Sequence, residues 1–145
     1  MAHAYRDAAH RHPRCAPLFG ASLAPAAGNL RLVEDVVAVL EDAGFAGPDL
    51  RDAYNAIVGS VVGWVGVELS APPGENPEQF AVATRNALDE LTAEGHPRLV
   101  ANRPHLLDQA FGLRWTPGAE HPLDSSFDAM VDLLVEALQQ RRELP

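Results

Sequence analysis

Residues 57–70 read IVGSVVGWVGVELS, an apolar run that carries glycine at 59, 63 and 66 inside an otherwise helical pattern. Each glycine costs roughly 1 kcal/mol against alanine in a helix interior, so a chain that keeps three must gain from bare backbone there. Two uses fit: a membrane span packing through its small residues, or a helix in water whose glycines let another backbone come close. The uncharged part covers only residues 53–67 and is interrupted by Asn55 and Ser60, short of the roughly 20 apolar residues that a crossing helix needs. The second use remains. Around the helix, Gly59, Gly63 and Gly66 fall with Asn55 and Val62 on one side, while Ile57, Val61, Trp64 and Glu68 fall on another. A helix that is apolar almost all round must be covered from several directions, so it is either central to its own domain or shared with a partner.

The surrounding chain predicts an all-α protein, because apolar residues recur at helical spacing and no stretch alternates as a half-buried strand does. A first helix is expected over residues 2–12, ending at Pro13, whose ring disfavours helical backbone in the residue before it. A short helical piece, CAPLFGASL, then leads into the loop APAAG. From Asn29, NLRLVEDVVAVLEDAGF places Leu30, Val33, Val37 and Leu40 on one face of an amphipathic helix. Gly44 followed by Phe45 reads as its left-handed cap, with an apolar residue folded back beneath. Pro48 starts the next helix, about 48–70, in the first turn where a missing N–H is harmless. Asn76, Pro77 and Gln79 form a capping-box-like start for a helix to about 91. Prolines then divide the chain into helical pieces near 97–101 and 104–111 and a loop near 112–122. The last helix, about 125–142, carries Phe127, Met130, Val131, Leu134, Val135 and Leu138 at i, i+3, i+4, i+7, i+8 and i+11, and Leu133 with Ala137 widens its apolar arc.

At 145 residues, without a repeat, a low-complexity tail or a dividing linker, the chain is expected to form a single domain over 1–145. Net charge is −9, from 20 acidic and 11 basic residues, the wrong sign for gripping a phosphate backbone with these residues themselves. The N-terminal stretch MAHAYRDAAHRHPR has no apolar core of a secretory signal, and the single Cys15 forms no internal disulfide, so a cytoplasmic location is expected.

Catalytic signals are weak. His3, Asp7 and His10 stand at i, i+4 and i+7, a spacing that puts two imidazoles and a carboxylate on one helical face, but ordinary exposed polar residues account for it as well, and no metal is assigned. No serine sits in a nucleophile elbow, and Cys15 reads as a small buried residue rather than a reactive thiol. The glycines of GSVVGWVG lie inside a helix, where their N–H groups are already engaged and cradle no phosphate. Neither an enzyme nor a bound cofactor is expected. Tyr5, Phe19, Asn55 and Trp64 have the mixture of aromatic surface and polar tips that lines small-molecule pockets, although core packing accounts for any one of them.

In their order, AYRDAAHRHPRCAPLFG, LVEDVVAVLEDAGF, the proline-started helix with GSVVGWVGVELS, and FDAMVDLLVEAL resemble the C-terminal regulatory domain of the TetR family of transcriptional regulators. The likeness is greatest to the tetracycline-repressor branch, where a YRD…HP helix, a helix ending in AGF, a helix with G-[FW]-x-x-x-E and a closing F…L..LL..L helix follow one another. Here these are Tyr5 to Pro13, Ala43 to Phe45, Gly63 and Trp64 with Glu68, and Phe127 to Leu138. The resemblance implies a homodimer joined through a four-helix bundle, with Gly59, Val62, Gly63, Gly66, Met130, Leu133, Leu134 and Ala137 at the interface. It also implies a cavity for a small, largely apolar effector, with Tyr5, Phe19, Asn29, Asn55, Trp64 and Glu68 as its contacts. The family's N-terminal helix-turn-helix domain is not among these residues, so operator DNA is expected to be reached only through such a domain outside them. The implied function is effector-controlled transcription, with repression relieved on binding; the alternative is a free-standing helical dimer that binds a small molecule and never meets DNA.

Overall fold

The computed structural model describes residues 1–15, 30–70, 76–106, 110–111 and 123–143, which form helices and turns without a strand. In chain order the helices are α1 (Ala2–Arg11), α2 (Leu30–Asp42), α3 (Gly47–Glu68), α4 (Pro77–Asp89), α5 (Pro97–Leu106) and α6 (Asp124–Glu143), with a 3-10 turn at Pro13–Cys15 after α1. The all-α expectation holds for these residues. Phe19, Asn29, the short helical piece beyond Cys15 and the loop near 112–122 lie outside the described residues. Contacts gather into two compact units, one of Met1–Ser70 with Ala129–Pro145 and one of Ala71–Asp128.

In the first unit α1 ends where the sequence requires. His12 leaves the helix at φ −130°, since the ring of Pro13 crowds helical backbone in the residue before it. At the end of α2, Gly44 takes φ +93°, its N–H donates to the Glu41 carbonyl at 2.8 Å, and the Phe45 N–H donates to the Leu40 carbonyl at 3.0 Å. This paired closure satisfies two carbonyls that the helix end leaves open, and it turns Phe45 inward. Phe45 joins Val36, Leu40 and Ala53 in a buried cluster, against which Ala43, Leu50, Tyr54, Ile57 and Leu138 pack. The unit's core is therefore the α2–α3 corner covered by the tail of α6.

Two expectations about this unit need correction. On α2 the buried positions are Val36 and Leu40, whereas Leu30 and Val33, expected inside, are exposed. The helix touches its core only along its last two turns, so a stripe drawn over its full length overstates the buried part. Cys15 is exposed rather than buried.

Along α3 the bulky side is the covered one. Ala53, Val61 and Val65 are buried at multiples of four residues, Ile57 and Trp64 are partly buried, and Gly59 and Gly63 face outward. Among the described residues, a Cβ added at Gly59, Gly63 or Gly66 would meet nothing within 4 Å. Exposed Arg141 of α6 reaches Asp49 in the first turn of α3 at 2.7 Å, an ion pair of a kind worth little in water.

In the second unit, the Asn76 side chain accepts from the Gln79 N–H at 3.0 Å, which caps α4 as its sequence predicts. Arg103 of α5 pairs with Asp89 at the end of α4 at 3.2 Å. Instead of two pieces separated by Pro104, α5 runs unbroken through it. The ring lies near the helix end, where the loss of one bond to the Val100 carbonyl is cheap. Leu123 and Phe127 are the largest fully buried side chains of this unit. No helix among the described residues is long and apolar enough to cross a membrane.

Candidate functional site

Helix α1 packs on α3 in the first unit, and the polar residues of that contact make its chemistry. Trp64 and Glu68 are one turn apart at the C-terminal end of α3 and therefore share a side. Facing them, Arg6 donates from Nε to Glu68 Oε2 at 2.9 Å and from Nη2 to Oε1 at 2.5 Å, a two-pronged grip on one carboxylate. The side chains keep only 10% and 6% of their exposure, so both charges have given up most of their water. A pair taken out of water in this way is tolerable only when its hydrogen bonds are met, as they are here. One turn on from Arg6, His10 brings Nε2 to 3.3 Å from Glu68 Oε2.

Burial works to push the Glu68 carboxyl up, but the hydrogen bond and charge of Arg6, joined by His10, outweigh it and hold the group below its ordinary value. Glu68 is thus ionised at neutral pH. Tyr5, next to Arg6 and half-buried, has its phenol pushed up by burial and stays protonated. Trp64 turns its indole nitrogen away from solvent.

Three of the expected effector contacts, Tyr5, Trp64 and Glu68, therefore belong to the two helices that meet here. Asn55 does not join them. It is exposed and lies about half a turn around α3 from Trp64, on the side of Gly59 and Gly63. Of the residues expected at a dimer contact, Gly59, Gly63, Leu133 and Ala137 are exposed and Val62, Gly66, Met130 and Leu134 are partly so. His3 and Asp7 are exposed, and His10 turns to Glu68. Among the described residues no three His, Cys, Asp or Glu side chains converge as metal ligands.

Arg6 is the residue that sequence reasoning missed. Its partner lies 62 positions away, beyond any local pattern. One signal was present: Arg6 and Ala9 are three apart on a helix with few large apolar residues, so whichever side α1 buries has to take polar groups with it.

The family model of the tetracyclin repressor-like C-terminal domain matches residues 1–109 of the 145. The chain belongs to this family. No curated protein and no solved structure gives a match. Tetracyclin repressor-like C-terminal domains are the regulatory part of TetR-family regulators, where they generally dimerise and bind small-molecule effectors, and they are not typically catalytic. The matched residues include α1, α3 and the whole Arg6–Glu68–His10 cluster, and they end before α6.

Proposed function

We propose that this tetracyclin repressor-like domain is the effector-binding and dimerisation part of a cytoplasmic repressor that leaves its operator when a small, largely apolar molecule binds. DNA is reached through a helix-turn-helix domain outside these residues. Two copies meet through α3 and α6 in a four-helix bundle, with Gly59, Val62, Gly63, Gly66, Met130, Leu133, Leu134 and Ala137 between them. Asn55 shares the glycine side of α3, and this reading assigns it to the same contact. The effector site takes Tyr5, Trp64 and Glu68 together with Phe19 and Asn29.

The observation that carries the reading is the open glycine side of α3. Among the described residues nothing comes within 4 Å of a Cβ at any of the three positions, so packing among these residues gives no reason for glycine there. Leu133, 66% exposed, and its neighbour Ala137 one turn on give α6 an uncovered apolar edge as well. A second copy laid against both would use the thin backbone of one helix and bury the side chains of the other.

Release follows from differential binding. An effector that fits one arrangement of the helices better shifts the dimer toward it, and the DNA-binding heads then no longer match successive major grooves. Moving the bound fraction over a useful range takes a difference of roughly a few kcal/mol between the two arrangements. Native mass spectrometry of freshly purified protein is expected to show a dimer carrying a small organic molecule. A bare monomer at micromolar concentration would overturn the proposal.

A further inference from the structure

Helix α2 is amphipathic over its whole length but is covered over only part of it. Stepping about 100° per residue, Leu30, Leu32, Val33, Val36, Val39 and Leu40 fall within one half of the cylinder, and Glu34, Asp35, Glu41 and Asp42 fall within the other. Val36 and Leu40 run down the middle of the apolar half and are buried with Phe45 and Ala53. On one flank of that line stand Leu32, 47% exposed, and Val39, 60% exposed, two turns apart. Next to them around the helix, three positions on from each, lie the exposed residues Asp35 and Asp42. The result is an open apolar row with an acidic rim.

We propose that the Leu32–Val39 row, with Asp35 and Asp42 on its rim, docks an amphipathic helix of another protein whose apolar stripe is edged by lysine or arginine. The spacing suits a helix lying alongside, because both the apolar pair and the acidic pair repeat after seven residues, the interval at which two parallel-running helices meet again. Charge then selects among helices. A second copy of this chain brings the same carboxylates and a net charge of −9, so like charges would face each other along the rim, whereas a basic edge is attracted to it. Arg31 engages Asp35 at 3.1 Å in an exposed pair, which a cation of the partner replaces at little cost. The apolar row supplies the contact area and the rim supplies the choice of partner.

Three synthetic peptides of three heptads each test this on the full chain by fluorescence anisotropy. The first has leucine at the core positions and lysine at the flanking ones; the second replaces lysine with glutamate; the third keeps lysine and replaces leucine with serine. Like charges on the flanks keep each peptide from pairing with itself. The first is expected to bind roughly tenfold or more tighter than the second, and to weaken about tenfold between about 50 mM and about 500 mM salt. The third, equal to the first in charge, is expected not to bind. Leu32→Ser with Val39→Ser changes two exposed positions and is expected to weaken the first peptide by about thirtyfold. Asp35→Lys with Asp42→Lys leaves the apolar row intact and is expected to reverse the preference toward glutamate. The proposal fails if the first peptide does not bind, if the third binds as well as the first, or if the lysine variant keeps the parent's preference. A lower oligomeric mass of the serine variant without any peptide would assign the row to a second copy and overturn the proposal as well.

Discussion

Alanine at Gly63 separates a free surface from a shared one. In a lone chain the substitution is favourable: the position is inside α3, a Cβ meets no atom of the described residues within 4 Å, and helix propensity alone gives about 1 kcal/mol in favour of alanine. That gain corresponds to a melting temperature about 3 °C higher for a chain of this size. A second copy across the glycine side reverses the sign. Each subunit then drives a Cβ into the partner's backbone, and overpacking of this kind costs about 1–3 kcal/mol at each site. The propensity gain is present in the folded monomer and in the dimer alike and cancels between them, so with two sites per dimer at about 2 kcal/mol each dissociation is favoured by about 4 kcal/mol, roughly a thousandfold weaker dimer. Light scattering over a dilution series, paired with thermal melts at each concentration, measures both quantities. The expected outcome is a dimer that falls apart at higher concentration than the parent. A variant that melts about 3 °C higher with unchanged mass at every dilution would refute the argument from the glycines.

Arg6→Ala strands a carboxylate that is 6% exposed and is expected to cost about 3 kcal/mol in urea unfolding, whereas Arg6→Met with Glu68→Met, which leaves no orphaned charge, recovers most of the loss. Because the folded Glu68 carboxyl lies below the ordinary 4.5, its contribution is present above that value and is lost as the pH falls through the lowered one; acid titration of stability should show the parent losing it on that limb, while Glu68→Gln, which has no carboxyl there to protonate, shows no such loss. Gly44→Ala is expected to cost about 1–2 kcal/mol in urea unfolding through its φ of +93° alone, the Arg142 Cδ being at an ordinary 3.9 Å. Asn76→Ala should cost about 1 kcal/mol by removing the cap on α4, read by the same unfolding assay.

What the sequence makes legible is whatever a few neighbouring residues decide among themselves. The stop at Pro13, the closure at Gly44 and Phe45, and the cap at Asn76 are all settled within one turn of chain, and all appear where the residues predict them. The bulky and flat sides of α3 were legible for the same reason, since one helix carries both. Longer-range features were not. Which part of the apolar stripe on α2 is covered depends on where α3 and Leu138 arrive, so Leu30 and Val33 were read as buried when they are exposed. The Arg6–Glu68 pair depends on two helices meeting, and no spacing within either helix announces it. Pro104 shows the converse error: a strong local signal was given too much weight at a helix end, where breaking one bond matters least.

The α2–α3 corner has a consequence for how this chain can change. Gly44 and Gly47 stand three positions apart, at φ +93° and +55°, so the chain reverses its backbone handedness twice within one short bend. Those are conformations native to mirror-image amino acids, and ribosomal synthesis supplies them cheaply only through the one achiral residue. A chemically assembled copy carrying D-alanine at 44 could keep the bend and lose freedom only in its unfolded form, a route to stabilisation closed to every genetically encoded variant.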